Sequence, residues 1–439
     1  MYSRAFSRIQ SIILAAIIVS AVVGGSAIYF LWSGTAPSAE TINIGICGDL
    51  DDVNGRAVWQ GAILAAEQVN AEGGVLGRNF EIVAEDDDSE ALPMDLAVAS
   101  NAMNRLINAD KADYIIASAG PPITVTYQEL CAQHKKILFT TTVIDNVLTM
   151  RVLEDYDTYK YYFRGGSGNA TAAHNGRADS LLTLRNYTGF NKVAYLYHNF
   201  GTGMKQFASA LEEFLIENGF EFVYGALVPL DTIDFTSYLA AVEESGAEIL
   251  TAFIVGDFTI PFVKEWYDRQ SPFVLTGVMP QIAYIDSWNM LEEKCESVST
   301  IGSAIISGYP LTSKTVSTRN AYIERWGEVP NSFSAIAYDL VRFILPDAIK
   351  RADTIETEKL IEALEQTDVE TSIVQRFVFT SNHDNMVSDP STPNYPNREY
   401  MFYFVFQWQN GKQVPIWPEK IFEEAGATYI FPDWPGPWD

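Results

Sequence analysis

The sequence predicts an α/β protein: two doubly wound parallel-sheet lobes joined by a hinge and preceded by an N-terminal transmembrane helix. Three observations carry the expectation. Short apolar runs alternate with segments of helical period along most of the chain. The apolar runs are continuous rather than alternating, as strands buried on both faces of a parallel sheet require. The units are too numerous for one ordinary open sheet, and a glycine-rich break, Arg164-Gly165-Gly166-Ser167-Gly168-Asn169, divides them into two sets.

The first element is the N-terminal run. Arg4 and Arg8 precede an uncharged stretch whose apolar heart extends from Ile12 to Trp32. As a helix rising about 1.5 Å per residue, that stretch covers roughly 30 Å, the thickness of a bilayer core. Basic residues before it and acidic ones after it put the bulk of the chain outside the membrane. A cleaved signal peptide is the competing reading, with Gly25-Ser26-Ala27 as its cleavage site. The apolar run continues through Ile28–Trp32, so an uncleaved anchor is expected, with Ser33 to Glu40 as a tether. No cysteine stands near the end of the run, which argues against a lipid anchor. The sequons Asn169-Ala170-Thr171 and Asn186-Tyr187-Thr188 are compatible with an external location.

Strands are expected at Ile42–Cys47, Asn79–Ala84, Tyr114–Ser118, Ile137–Thr141, Lys192–Tyr197, Glu221–Ala226, Ile249–Val255, Phe273–Gly277 and Ile301–Ile306. Helices lie between most of them. Val58, Ala62, Ala65, Ala66 and Val69 fall on one helical face. Phe207, Leu211, Phe214 and Leu215 repeat that spacing, and Gly219 supplies a stop. Past the ninth run the pattern changes. Ser332–Lys350 reads as one strong helix and Thr357–Gln366 as a shorter one. Val374–Phe379 and Tyr400–Trp408 read as two antiparallel strands around a polar loop.

Composition narrows the function. The chain has 439 residues, a formal charge of -27 and a pI near 4.4. Such a polyanion repels nucleic acid, so no nucleic-acid partner is expected. Cys47, Cys131 and Cys295 show no metal spacing and read as buried free thiols, with one bridge plus a leftover thiol as the alternative. The four histidines, His134, His174, His198 and His383, share no metal spacing either. Dinucleotide, P-loop, zinc-protease and serine-hydrolase signatures are absent. The expectation is no catalytic residues, no metal and no cofactor. The acidic run Glu85-Asp86-Asp87-Asp88 reads as a solvated strand end rather than a calcium loop.

Three ordered motifs then support a resemblance. The first is Gln68-Val69-Asn70-Ala71-Glu72-Gly73-Gly74-Val75-Leu76-Gly77-Arg78, followed by a strand and Asp86-Asp87. The second is the Lys192–Tyr197 strand followed by His198-Asn199-Phe200-Gly201-Thr202-Gly203. The third is Tyr403-Phe404-Val405-Phe406-Gln407-Trp408-Gln409-Asn410-Gly411. Together they resemble the leucine/isoleucine/valine-binding protein family, the type I periplasmic binding proteins of branched-chain amino-acid transporters, over roughly residues 41–415. The resemblance implies two lobes with a ligand between them, closing by hinge motion. It also implies a return to the first lobe near Ser307-Gly308-Tyr309-Pro310. The lobes are then 41–163 with 307–373, and 164–306 with 374–439, behind the 1–40 anchor.

The resemblance implies a solute-binding subunit of an ABC importer working with membrane permease subunits. Its expected ligand is a branched-chain or hydrophobic amino acid, or a related amide. The alternative is a sensory receptor domain of the same fold with a signalling partner. Ligands sit beyond the carboxyl ends of parallel strands, which marks Ala119, Gly120 and Pro121, Thr141 and Thr142, Phe200, Asp257 and Phe258, and Met279. Each is also readable as an ordinary loop residue. Thr141 and Thr142 offer hydroxyls to a carboxylate, whereas Pro121 and Pro122 each remove an N–H donor. Met279 stands where the family's acid is expected, leaving Asp257 or Asp145 for an ammonium. Phe200, Phe258 and Tyr309 would supply an aromatic wall.

Overall fold

The structure, a computed structural model, describes residues 41–89, 95–166, 168–199, 201–389, 399–424 and 426–438; the side chains of Thr202 and Asp257 fall outside that description. The expected anchor lies in 1–40, outside the described residues. Among the described residues no helix is long and apolar enough to cross a membrane.

The first lobe begins with β1 (Ile42–Gly48), α1 (Val53–Ala71), β2 (Phe80–Asp86), α2 (Leu96–Asn108), β3 (Tyr114–Ser118), α3 (Pro121–His134) and β4 (Ile137–Thr140). Two short helices, α4 (Val147–Glu154) and α5 (Tyr156–Tyr159), lead to β5 (Tyr162–Arg164). The strands form a parallel sheet in the order β2-β1-β3-β4-β5. The turn between α1 and β2 explains the first sequence motif. Gly73 and Gly74 take positive φ, and the Asn70 amide both donates to Phe80 O at 2.8 Å and accepts from Phe80 N at 2.7 Å. One side chain thereby stands in as a strand partner and fixes the entry of β2.

The second lobe runs α6 (Ala170–Thr188), β6 (Lys192–His198), α7 (Thr202–Glu217), β7 (Glu221–Val228), α8 (Thr236–Glu244), β8 (Ile249–Phe253), α9 (Thr259–Asp268) and β9 (Val274–Val278). Its parallel sheet is ordered β7-β6-β8-β9. Then come α10 (Ser287–Met290), β10 (Ser299–Gly302) and α11 (Ala304–Ser307). Next are α12 (Thr315–Trp326), α13 (Ser332–Asp339), α14 (Leu345–Ala352), α15 (Thr357–Leu364), and the paired strands β11 (Asp368–Val369) and β12 (Phe377–Val378). The chain ends with β13 (Phe404–Gln409), β14 (Lys412–Trp417) and α16 (Glu419–Glu424).

Several expectations need correction. Ile301–Ile306 is not one strand: β10 stops at Gly302, and Ala304–Ser307 is a helical turn closed by left-handed Gly308. A short apolar run has no period that separates the two states. The long helix at 332–350 is interrupted by a π turn over Leu340–Ile344. Pro346 has no N–H for the Arg342 carbonyl, and the wider turn falls just before it. Val374–Phe379 and Tyr400–Trp408 do not pair with each other. Phe377–Val378 pairs with β11, whereas β13 lies between β10 and β14 in a separate antiparallel sheet. Asp87 is buried rather than solvated, accepting a hydrogen bond from Tyr127 Oη at 2.5 Å. Cys47, Cys131 and Cys295 are buried and free, as expected.

The core assigns each late segment to a side. Helices α13 and α14 with the π turn between them, and with Val374, Phe377, Phe379 and Met401, share one apolar core with β1 and α1. Phe402, Phe404 and Trp417 join the core of the second sheet instead. Packing therefore keeps Val374, Phe377, Phe379, Val387 and Met401 beside the first sheet, past the expected boundary at 373.

The first passage between the sheets is the glycine-rich segment. It opens at Arg164, which is fully buried, and closes at Asn169, whose side chain caps α6 by accepting from Ala172 N at 2.9 Å. Arg164 Nε donates to Asp384 Oδ1 at 2.5 Å, and its other nitrogens donate to the carbonyls of Val143 and Asp145. Asn169 Nδ2 donates to the other Asp384 oxygen at 3.1 Å. The stretch around Asp384 is thus tied to the first passage by a buried ion pair.

Candidate functional site

In an open α/β sheet, a crevice forms where neighbouring connections leave in opposite directions. The first sheet has that point between β1 and β3, and the second between β6 and β8. The candidate site is built from the loops beyond those strand ends.

On the first rim, Asp49 follows β1. Its carboxylate accepts from Asp51 N at 3.1 Å and Asp52 N at 3.0 Å, and Asp52 then caps α1 through Asn54 N at 2.7 Å. Beyond β3, Ala119 is buried and Gly120 caps α3 without a side-chain bond. Pro121 and Pro122 are exposed at the start of α3, where a missing N–H costs the helix nothing. Thr141 is fully buried, and both its N–H and its hydroxyl donate to Ala117 O. Those donors hold the β4 loop on β3 and are not aimed at the crevice. Thr142 is half-buried and donates to Ala119 O at 3.0 Å, which leaves its oxygen lone pairs as acceptors.

On the second rim, His198 ends β6 and is fully buried. Its Nδ1 accepts from Val255 N at 3.3 Å, so the β6 and β8 loops are tied together. The half-buried Phe258 ring meets the His198 ring edge-on at 5.7 Å. Phe200 and the Asp257 side chain lie outside the described residues. Met279 is fully buried in the core of this lobe, with its N–H donated to Thr300 Oγ1 at 3.0 Å. Tyr309 packs on Phe404 at 5.8 Å and donates to Glu424 at 3.2 Å, toward the C-terminal strands. Ala119, Gly120, Pro121 and Thr142 therefore share one rim and His198 and Phe258 the other. Met279 and Tyr309 are directed elsewhere.

Sequence reasoning passed over the contact that joins the rims. Tyr284 Oη, in the turn after β9, donates to Asn54 Oδ1 at the start of α1 at 2.6 Å. These residues are separated by 230 positions, and neither belongs to a motif. The usable signal was the β1 loop itself, since the switch-point rule marks it as strongly as the loop after β3. A neutral hydrogen bond of this kind contributes about 1 kcal/mol. Tyr284→Phe is expected to leave the melting temperature nearly unchanged and to weaken binding of a cleft ligand roughly five-fold, read by calorimetry.

His198 also gives the site a pH signature. Burial holds its pKa down at about 4 against an ordinary 6.5. The folded state therefore favours the neutral ring. Its contribution is complete above 6.5 and is lost as pH falls from 6.5 toward 4. That window is worth on the order of 3 kcal/mol at most. Melting curves from pH 7 to pH 4 are expected to fall more steeply for the native chain than for His198→Gln.

Among the described residues no cluster of three or more His, Cys, Asp or Glu is arranged to hold a metal ion. The rims offer backbone amides, hydroxyls and aromatic edges. No nucleophile lies beside a base across the crevice in any described contact. Such an arrangement is suited to enclosing a solute.

Comparison with known proteins agrees with this geometry. A family described as periplasmic binding protein matches residues 41–411. A Leu/Ile/Val-binding protein homolog 7 of Brucella abortus (strain 2308) is 22% identical over 413 residues, covering 89% of this chain and 94% of that protein. A crystal structure described as a putative branched-chain amino acid ABC transporter from Silicibacter pomeroyi superposes with a TM-score of 0.74 at 18% identity, over 91% of this chain and all of that one. A solute binding protein of an ABC transporter from R. palustris, solved with benzoate, superposes with a TM-score of 0.66 at 14% identity, over 86% of this chain and 96% of that one.

Proposed function

The chain belongs to the periplasmic binding protein family, whose members here are solute-binding proteins of transporters rather than enzymes, and from that premise we propose that it captures one small organic solute between its lobes and delivers it to the permease subunits of an ABC importer. The observation that carries the reading is the pair of facing switch-point crevices, bridged by Tyr284 and Asn54. Residues 41–163 with 307–389 form one jaw, and 164–306 with the C-terminal strands form the other. The Ile12–Trp32 run holds both jaws outside the membrane.

The solute is a hydrophobic amino acid, or a related amide or small acid, held by backbone amides more than by charged side chains. Two features support backbone recognition. The Thr141 donors are already taken, and Met279 supplies no carboxylate for an ammonium. Relatives named for leucine, isoleucine and valine, and a neighbour solved with benzoate, span this class. Phe258 is assigned to the second jaw and Ala119, Gly120, Pro121 and Thr142 to the first; Phe200 and Asp257 are proposed to join Phe258.

Melting curves against a panel of hydrophobic amino acids, their amides and aromatic acids test this. At a ligand concentration one hundred times Kd, the shift corresponds to about 2.7 kcal/mol. A saturable rise for one class, with the solute recovered unchanged, is expected. A flat response to every class, or conversion of the solute to product, counts against the reading.

A further inference from the structure

A second recess lies at the hinge, and none of its lining residues is one assigned to the cleft. It is an open recess of about 330 Å³ lined by Asn146, Thr149, Asn169, Asn382, Asp384 and Asn385, with Met150, Met386 and Val387 as its apolar wall. Its parts come from three places: the start of α4 on the first lobe, the Asn169 cap at the end of the first passage, and the 380–387 stretch.

The decisive group is Asn385. Its side chain is 1% exposed, lines the recess, and has no hydrogen-bond partner for either Nδ2 or Oδ1. Asn146 Oδ1 is also buried without a partner. Leaving a buried amide unpaired costs about 1–3 kcal/mol per group, so an occupant that pairs them gains correspondingly. The neighbouring polar groups are already engaged. Thr380 Oγ1 donates to Asn382 Oδ1 at 2.6 Å, Thr149 Oγ1 to Asn146 O at 3.0 Å, and Asp384 is paired with Arg164 and Asn169.

The chemistry of the occupant follows from these groups. No Lys or Arg lines the recess, and the Asp384 charge is neutralised by Arg164. A charged ligand would find no counter-charge there. Asn385 carries an adjacent donor and acceptor, which two neighbouring hydroxyls match, because each both donates and accepts, once the buried amide turns toward the recess. The unpaired groups are dispersed over two chain segments, so a ligand with several hydroxyls satisfies them and a single amide does not. The methionine and valine wall suits the C–H face of such a molecule. We propose that this recess is a second binding site, specific for a small uncharged polyol or monosaccharide, and that its occupant tunes lobe closure by contacting both the first passage and the 380–387 stretch tied to it.

Titration calorimetry with glycerol, erythritol, mannitol and glucose tests the proposal. Calorimetry is preferred to melting curves because polyols stabilise folded proteins generally by exclusion. One member of the panel is expected to bind saturably at one equivalent, and Asn385→Leu to weaken it at least ten-fold. Asn146→Ala, on a half-buried position, provides the same reading should Asn385→Leu fail to fold. Three results overturn the site: no saturable heat from any polyol, affinity untouched by both substitutions, or a crystal grown with the polyol in which only water occupies the recess. Affinity lost through Asn54→Ala but not through Asn146→Ala would also overturn it, since the polyol would then be a cleft ligand.

Discussion

Replacing Arg164 by methionine is expected to lower folding stability by about 3–5 kcal/mol, the loss typical when one partner of a buried ion pair is removed. Arg164 is fully buried and Asp384 nearly so, at 0% and 8% side-chain exposure. Without the guanidinium, the Asp384 carboxylate keeps, among the described residues, the Asn169 amide, and the Val143 and Asp145 carbonyls lose the Arg164 donors. The burden falls on the hinge. His383 stacks on Phe163 at 4.0 Å, donates from Nδ1 to Tyr162 O at 2.9 Å, and lies with Nε2 2.9 Å from Glu365 Oε1, so it packs the 380–387 stretch on β5. Denaturant melts of Arg164→Met, Asp384→Asn and the double variant separate the ion pair from simple loss of packing. The double variant is expected to be less damaged than the sum of the two singles, because no isolated charge stays buried.

The second large effect is expected at Trp408. It is 1% exposed on β13, stacks on Trp288 at 5.6 Å, and donates its indole N–H to Ile282 O at 2.8 Å. Trp408→Ala removes a fully packed aromatic side chain, for a loss of about 3–5 kcal/mol. The functional consequence follows from the place of Ile282, in the turn that leads to Tyr284. Loosening that turn frees the Tyr284 hydroxyl from its position opposite Asn54. Ligand affinity is therefore expected to fall further for Trp408→Ala than for Tyr284→Phe, while Trp408→Phe retains most of the packing and an intermediate affinity. Equilibrium unfolding together with calorimetric titration of the three variants checks both halves.

The two-lobed α/β architecture was legible because each buried parallel strand declares itself as a continuous apolar run, and eight of the nine expected runs fall on strands of the two parallel sheets. The hinge was legible in part. Gly168 takes a φ of +71 with its α-carbon facing the Tyr403 ring, a position that favours glycine, and a cluster of glycines signals such geometry. What stayed hidden was pairing over long distances. Arg164 and Asp384 stand 220 positions apart, and neither carries any local sign of the other. β5 was missed because a three-residue strand has no period to detect. β14 carries polar residues and a proline, Lys412-Gln413-Val414-Pro415-Ile416-Trp417, as an edge strand allows. Met279 shows the complementary error: a loop position beyond a strand end was read as facing the crevice, but its apolar side chain is drawn into the adjacent core.

The most direct test of a solute-capturing protein is to return to it what it carries. The small molecule released on denaturing the purified chain would be identified and titrated back into ligand-free protein by calorimetry. One saturable site per chain, with the molecule recovered unchanged and its affinity reduced in Tyr284→Phe, is the predicted result. Absence of any stoichiometric small molecule, together with no saturable heat across the amino-acid, amide and aromatic-acid panel, would contradict it.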